Sequence, residues 1–229
     1  MTLASLRRDL RAVATPEHAE VSRRFFKTGK GEYGAGDKFL GIRIPRLREV
    51  VRRHADLPFP DVEKLLDSAW HEERLAGLLI LVRRYRKEPD TVFELYRRKI
   101  ARVNNWDLVD SSAPHIVGAY LETRDRAWLY ALAKSSSLWE RRIAMLATQH
   151  LIRRGDFADA LAIAKLLLHD THDLIHKAAG WMLREVANRD LAAAETFLRE
   201  HAPRMPRTML RYAIEKFPEP LRRRYLDAR

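Results

Sequence analysis

The sequence predicts an all-α protein, a HEAT-like α-solenoid of stacked antiparallel helix pairs with a concave basic cleft. Three observations lead there. Apolar residues recur at three- and four-residue spacing through most of the 229 residues, and no stretch alternates with period two long enough to make a strand. Five windows align without gaps, starting at Glu72, Val109, Glu140, Ile175 and Pro206, which are 37, 31, 35 and 31 residues apart. A small residue stands on one column of that alignment (Ala76, Ala113, Ala144, Ala179), where helices can pack closely. Helices of an ordinary bundle also recur at about this length; the small-residue column favours the solenoid. The expected organisation is a single domain over residues 1–229.

Elements follow in order. "MTLASLRRDLRAVA" interrupts with arginines what a signal peptide would keep apolar, and no apolar run in the chain is long enough to span a bilayer. The expected location is the cytoplasm. "KTGKGEYGAGDKFLGIRIP" (27–45) holds five of the nine glycines. It lacks the Gly-Lys-Ser/Thr of a phosphate-binding loop and reads as a flexible link between helices, with DNA-backbone contact as the alternative. Helical periodicity runs over 62–87, 89–103 and 139–155, and from about 173 to 188. "KEPD", "ETRD", "RRGD", "ANRD" and "FPEP" mark helix ends and short links.

Composition bounds the function. Apolar residues make up 46% and charged residues 32%, the balance of a folded chain. Lys and Arg number 43 against 31 Asp and Glu, a net charge of +12, which calls for a polyanionic partner: nucleic acid or an anionic membrane surface. Because the basic residues recur along the whole chain rather than on one amphipathic segment, nucleic acid fits better. Without cysteine there is no disulfide, thiolate metal site or thiol nucleophile. Arg74, Arg142 and Lys177 share one alignment column, so the solenoid predicts a positive stripe along its inner wall.

"NNWDLVDSSAPHIVG" (104–118) carries the sharpest signal. Trp106 and Asp110, four apart, share a helix face, with Asn104 and Asp107 placed to start that helix. Pro114 lacks the N–H that would bond the Asp110 carbonyl, so the helix is expected to kink there. A carboxylate beside a break suggests function; an ion pair with a neighbouring arginine is the structural alternative. On the helix near 173–188, Lys177, Trp181, Arg184 and Asn188 fall on or near one stripe, a poor core face and a good nucleic-acid face. Arg142 reads as a phosphate clamp or as an intrahelical ion pair. His172 and His176 have metal-pair spacing, but neighbouring Asp170, Thr171 and Asp173 read as helix caps, and no metal site is expected.

At "NNWDLVDSSAP", "LWERRIAML", "LIHKAAGWMLREVANRD" and the early "KFLGIRIPRLREV", the chain resembles the AlkD-type bacterial DNA alkylation repair family, the HEAT-repeat alkylpurine DNA glycosylases. The resemblance implies that Trp106, Asp110, Arg142 and Trp181 line a basic concave cleft on DNA. Lys177 and Arg184 join them as DNA contacts by helical spacing. It further implies monofunctional hydrolysis of the N-glycosidic bond of cationic N3- and N7-alkylated purines in duplex DNA, without base flipping. Asp110, Trp106 and Trp181 would be the catalytic residues. No cofactor or metal is implied, nor any obligate protein partner; the protein would be a nucleoid-associated monomer in a bacterium. A non-catalytic HEAT-repeat scaffold binding nucleic acid is the alternative.

Overall fold

The computed structural model describes residues 1–227 and divides the chain into two compact units, Met1–Ser112 and Ala113–Arg229. Unit 1 comprises α1 (Leu3–Ala12), α2 (Pro16–Phe25), α3 (Ile44–Arg53), α4 (Phe59–Leu66), α5 (His71–Arg84), α6 (Pro89–Arg98), a 3-10 turn (Ile100–Arg102) and α7 (Trp106–Asp110). Unit 2 opens on a π-helical turn (Pro114–Gly118). It continues through α8 (Ala119–Leu121), α9 (Ala127–Ala133), α10 (Leu138–Arg153), α11 (Ala158–Leu166), α12 (Asp173–Ala187), α13 (Leu191–His201), a 3-10 turn (Ala202–Arg204), α14 (Arg207–Ala213) and α15 (Glu219–Asp227). Among the described residues no strand forms, only an isolated bridge between Lys38 and Trp70, and no helix is long and apolar enough to cross a membrane.

The repeat seen in the sequence has a physical counterpart. Windows from Glu72, Glu140, Ile175 and Pro206 fall on α5, α10, α12 and α14. In unit 2, α10 packs on α12 and α12 on α14, while α9, α11 and α13 pack beside them, the pairwise stacking of an α-solenoid. In unit 1, α5 packs against α3, α4, α6 and α7. Consequently α5 is buried from His71 through Leu81, and nearly all of α10 from Arg142 to Ile152 is buried too. Ala76, Ala113, Ala144 and Ala179 are fully buried, as their column predicts.

Close packing has a price at Gly180, where α12 meets α14. A Cβ there would stand 2.4 Å from the Met209 carbonyl oxygen and 2.5 Å from Cβ of Tyr212. Alanine ordinarily gains about 1 kcal/mol over glycine inside a helix. Displacing a backbone carbonyl should outweigh that gain, since overpacking costs about 1–3 kcal/mol. Gly180→Ala is therefore expected to lower the thermal midpoint, and calorimetry on the variant would reveal the reverse sign if the helices can part.

Two sequence expectations need correction. The helical run over 62–87 is broken at 67–70. There the Lys38 N–H donates to the Ala69 carbonyl (3.3 Å) and the His71 N–H to the Lys38 carbonyl (2.8 Å), and the Ser68 hydroxyl accepts the Trp70 N–H (3.1 Å). Nor is the glycine-rich segment simply a flexible link. Its end is held by the buried Glu72 carboxylate, which accepts the N–H groups of Leu40 (2.9 Å), Gly41 (2.8 Å) and Ile42 (3.2 Å). Three successive N–H groups around one anion make a nest. Gly41 fits it because its φ is +87° and because a Cβ would meet the Thr15 carbonyl oxygen at 2.0 Å.

Candidate functional site

α7 is a five-residue helix, and its sequence explains why it starts and stops. Asn105, not Asn104, is the cap: its side-chain oxygen accepts the Trp106 N–H at 2.8 Å. Asp107 accepts its neighbour's N–H, from Leu108, at 2.9 Å. At the other end the Ser111 and Ser112 hydroxyls donate back to the carbonyls of Asp107 (2.6 Å) and Leu108 (2.5 Å). They compete with the helical ladder, and Pro114 has no N–H to extend it. The predicted disruption is thus realised as a helix end after Asp110, with a π-helical turn from Pro114 to Gly118.

Trp106 and Asp110 are both half-buried, and both line one cavity of about 550 Å³ within unit 1. Its walls are largely apolar and aromatic: Phe25, Phe26, Phe39, Ile42, Leu75 and Leu79, with His71 and Asp107 at the base of α7. Rings touch in sequence. Trp106 stacks on Phe26 (centroids 5.2 Å apart, planes 22° from parallel), and Phe26 stacks on Phe39 (5.1 Å, 16°). Phe25 meets Trp106 edge-on at 5.6 Å. Val21, Phe25 and Ile44, at 58%, 62% and 44% exposure, are large apolar residues left facing solvent on this same cavity. A concave aromatic surface with the Asp110 carboxylate set into it is what a ligand site needs. Tyr96, buried behind, has its phenol raised by desolvation; the hydroxyl contact with Ser112 works against this and the charge of Asp110 adds to it.

Beneath the cavity lies a buried ionic turn that sequence reasoning missed. The first four residues of α5, His71-Glu72-Glu73-Arg74, are all ionisable and all buried. Each has its own partner. Glu72 holds the nest described above, and Glu73 receives Arg7 from α1 at 3.0 Å. The Arg74 guanidinium donates to Asp37 (2.6 Å) and to the Ser68 carbonyl (2.9 Å). His71 sits between two carboxylates, Nδ1 at 3.1 Å from Asp37 and Nε2 at 2.8 Å from Asp107. Ionised carboxylates only accept, so both ring nitrogens must carry protons. Burial alone would depress such an imidazolium, but Asp107 and Asp37 win and raise it to about 9. Burial likewise pulls Asp37 upward, and His71 and Arg74 together overcome it, holding that carboxyl below its ordinary value. Two cations and two anions balance, which is why the cluster can be buried. A sequence signal existed: four ionisable residues running directly into "LAGLLILV" leave no polar face for them.

Arg74 therefore cannot belong to an open positive stripe. Its equivalent in unit 2, Arg142, is 5% exposed and spends one N–H on the Leu174 carbonyl at 2.5 Å, tying α10 to α12. Only Lys177 of that column reaches the surface; it is part-exposed and paired with Asp173 at 2.8 Å. The predicted stripe on α12 stays outside the core. Lys177, Trp181 and Arg184 are half-buried and Asn188 exposed, while Ala178, Met182 and Val186 face inward. Trp181 donates its indole N–H to Glu185 (3.2 Å), and Arg184 pairs with Glu215. His172 accepts the Leu174 N–H as a helix cap, and His176 bonds the Asp170 carbonyl. Among the described residues no group of three or more His, Asp or Glu could hold a metal ion.

No curated protein matches the chain. A solved structure described as "Predicted DNA alkylation repair enzyme from Enterococcus faecalis" shares its fold, with a TM-score of 0.68 at 15% identity over 90% of this chain and 97% of that one. The family model of the DNA alkylation repair enzymes matches residues 6–217. By that match, spanning both units, the chain belongs to the DNA alkylation repair enzyme family.

Proposed function

We propose that the protein is a monofunctional DNA glycosylase that hydrolyses the N-glycosidic bond of cationic N3- and N7-alkylated purines in duplex DNA. The observation that carries this reading is the placement of Trp106 and Asp110, one turn apart on α7, on the wall of one aromatic cavity. An alkylated purine already bears a positive charge, so the base departs with the C1′–N electron pair and needs no general acid. Positive charge then develops on the deoxyribose. The Asp110 carboxylate stabilises it and orients the water that adds to C1′, accepting the proton that the water sheds. The indole face of Trp106 favours the same cationic transition state, and Trp181 of unit 2 is the third residue to which a catalytic role is assigned.

Lys177 and Arg184 are the proposed backbone contacts of unit 2, their present acidic partners yielding to phosphate. Arg142, being buried, acts as a DNA-binding residue by holding the start of α12 as well as by any phosphate contact. Duplex DNA is the partner, the protein works as a cytoplasmic, nucleoid-associated monomer, and no cofactor takes part. Excision is read as proceeding on a stacked base. On that one point the cavity favours a second reading, because an aromatic recess of this size beside the acid could admit an extruded base.

Incubation with methylated duplex DNA should liberate 7-methylguanine and 3-methyladenine; binding without any free base would leave the non-catalytic scaffold as the better account. The same assay with 2-aminopurine opposite or beside the lesion separates the two excision modes, since extrusion raises its fluorescence and stacking does not.

A further inference from the structure

The glycine-rich segment 29–41 has no part in the function proposed so far, yet it ends in a buried link to the candidate site. Asp37 lies within it and bonds His71 on α5; His71 bonds Asp107 on α7; Asp107 is one residue from Trp106 and three from Asp110. The link is clamped at both sides. Arg74 holds the far oxygen of Asp37, and the Asn105 side chain reaches the near one at 3.5 Å. Stacked rings run parallel to it: Phe39 lies 4.6 Å and Phe26 4.9 Å from the His71 ring, and Phe26 in turn carries Trp106.

We propose that Asp37, His71 and Asp107 are positioning residues of the candidate site, a carboxylate–imidazolium–carboxylate bridge that sets the height and rotation of α7 and so aims Asp110 and Trp106. The inference rests on the glycosylase reading for its effect on rate. Its geometric content stands apart from that reading.

α7 has five residues, too few to be stable alone, and its C-terminal carbonyls are claimed by Ser111 and Ser112. Its orientation must come from outside itself. Asp107 supplies the polar tie to α5, on the side of the helix turned from solvent, with 13% of its side chain exposed. His71 serves this role better than a lysine or arginine, because a flat ring with two opposed N–H groups holds two carboxylates in line and also stacks on Phe39 and packs beside Phe26. Neutral histidine could keep only one of the two bonds. Around the ring, the charged groups are Asp37 from the 29–41 segment, Asp107 from α7, and Glu72 and Arg74 from its own helix, with Arg102 beyond Arg74. Glu72 is engaged by backbone N–H groups and Arg74 by Asp37, leaving His71 as the group whose proton joins the segment to α7. The sign follows from the raised value: the bridge is complete at neutral pH and fails as pH climbs through about 9.

The test uses the full chain. His71→Gln and Asp37→Asn should each slow single-turnover release of 7-methylguanine by about 10- to 100-fold while leaving affinity for methylated duplex unchanged, the cost of a small misplacement at a reacting centre. His54→Gln is the control for general loosening. It breaks another histidine–carboxylate pair of unit 1, with Asp9 at 2.9 Å, away from the cavity, and should destabilise the fold without this slowing. In wild type carrying fluorotryptophan, with Trp106→Phe identifying the signal among the five tryptophans, the fluorine resonance of Trp106 should titrate with a midpoint near 9, and His71→Gln should abolish the step. Wild-type rates in both bridge variants overturn the inference, as does slowing matched by His54→Gln at equal loss of stability. A Trp106 resonance indifferent to pH overturns it too, and that wild-type measurement decides the matter if the variants do not fold. Should wild type release no base, the glycosylase reading fails, while the resonance still tests the bridge.

Discussion

Asp110→Asn should lose excision of 7-methylguanine by about 10²–10³-fold, the range seen when one preorganised electrostatic stabiliser is removed from a reacting centre. The substitution keeps shape and hydrogen-bonding reach but removes the negative charge. If that charge meets a developing sugar cation, the loss falls on the chemical step and DNA affinity persists. Asp110 is half-buried at the C-terminal end of α7, where a negative charge opposes the helix dipole, and asparagine keeps the hydrogen-bonding oxygen, so the helix does not depend on the charge. Thermal stability should accordingly change little, which separates a catalytic effect from an unfolding one. Single-turnover base release, duplex affinity and a melting curve on the same preparation check all three. Undiminished release by the variant would remove Asp110 from the mechanism.

Glu72→Ala should have the largest effect on stability, about 3–5 kcal/mol, from leaving three N–H groups without their acceptor in a nearly dry setting. Leu40, Gly41 and Ile42 all donate to this carboxylate, and Gly41 and Ile42 are buried. Nothing in the adjacent ionic turn can substitute, since Glu73 is engaged with Arg7 and Asp37 with His71 and Arg74. Denaturant unfolding followed by circular dichroism would measure the loss. A change under about 1 kcal/mol would mean that water replaces the carboxylate easily.

Much of the architecture was legible because helices announce themselves by period. The starts of α10 and α12, the links at "RRGD" and "ANRD", the burial of the small-residue column and the polar face of α12 outside the core all follow from spacing and punctuation. Trp106 and Asp110 were legible for the same reason: four residues apart on a helix means one face. Long-range pairing is where spacing fell silent. Arg74 and Lys177 share an alignment column, yet Arg74 is buried because Asp37, 37 residues earlier, reaches it. No local pattern marks that partner. The break at 67–70 likewise depends on Lys38, and the held glycine segment on Glu72, each an encounter between distant stretches. The aromatic wall of the cavity comes from three separate places, α2, the segment before α3, and α7.

The four-residue ionic turn at the start of α5 has a consequence for how unit 1 is assembled. Its partners lie 66 residues upstream at Arg7, about half that distance upstream at Asp37, and 36 residues downstream at Asp107. None of these charges can enter the interior before its counterpart arrives, because an unpaired buried ion costs more than the packing around it returns. The last turn of assembly must therefore gather nearly the whole span from Arg7 to Asp107 at once. A nascent chain released short of α7 would hold His71 with one carboxylate in place of two, and the amides opening α5 would exchange with solvent far faster than those of its apolar half.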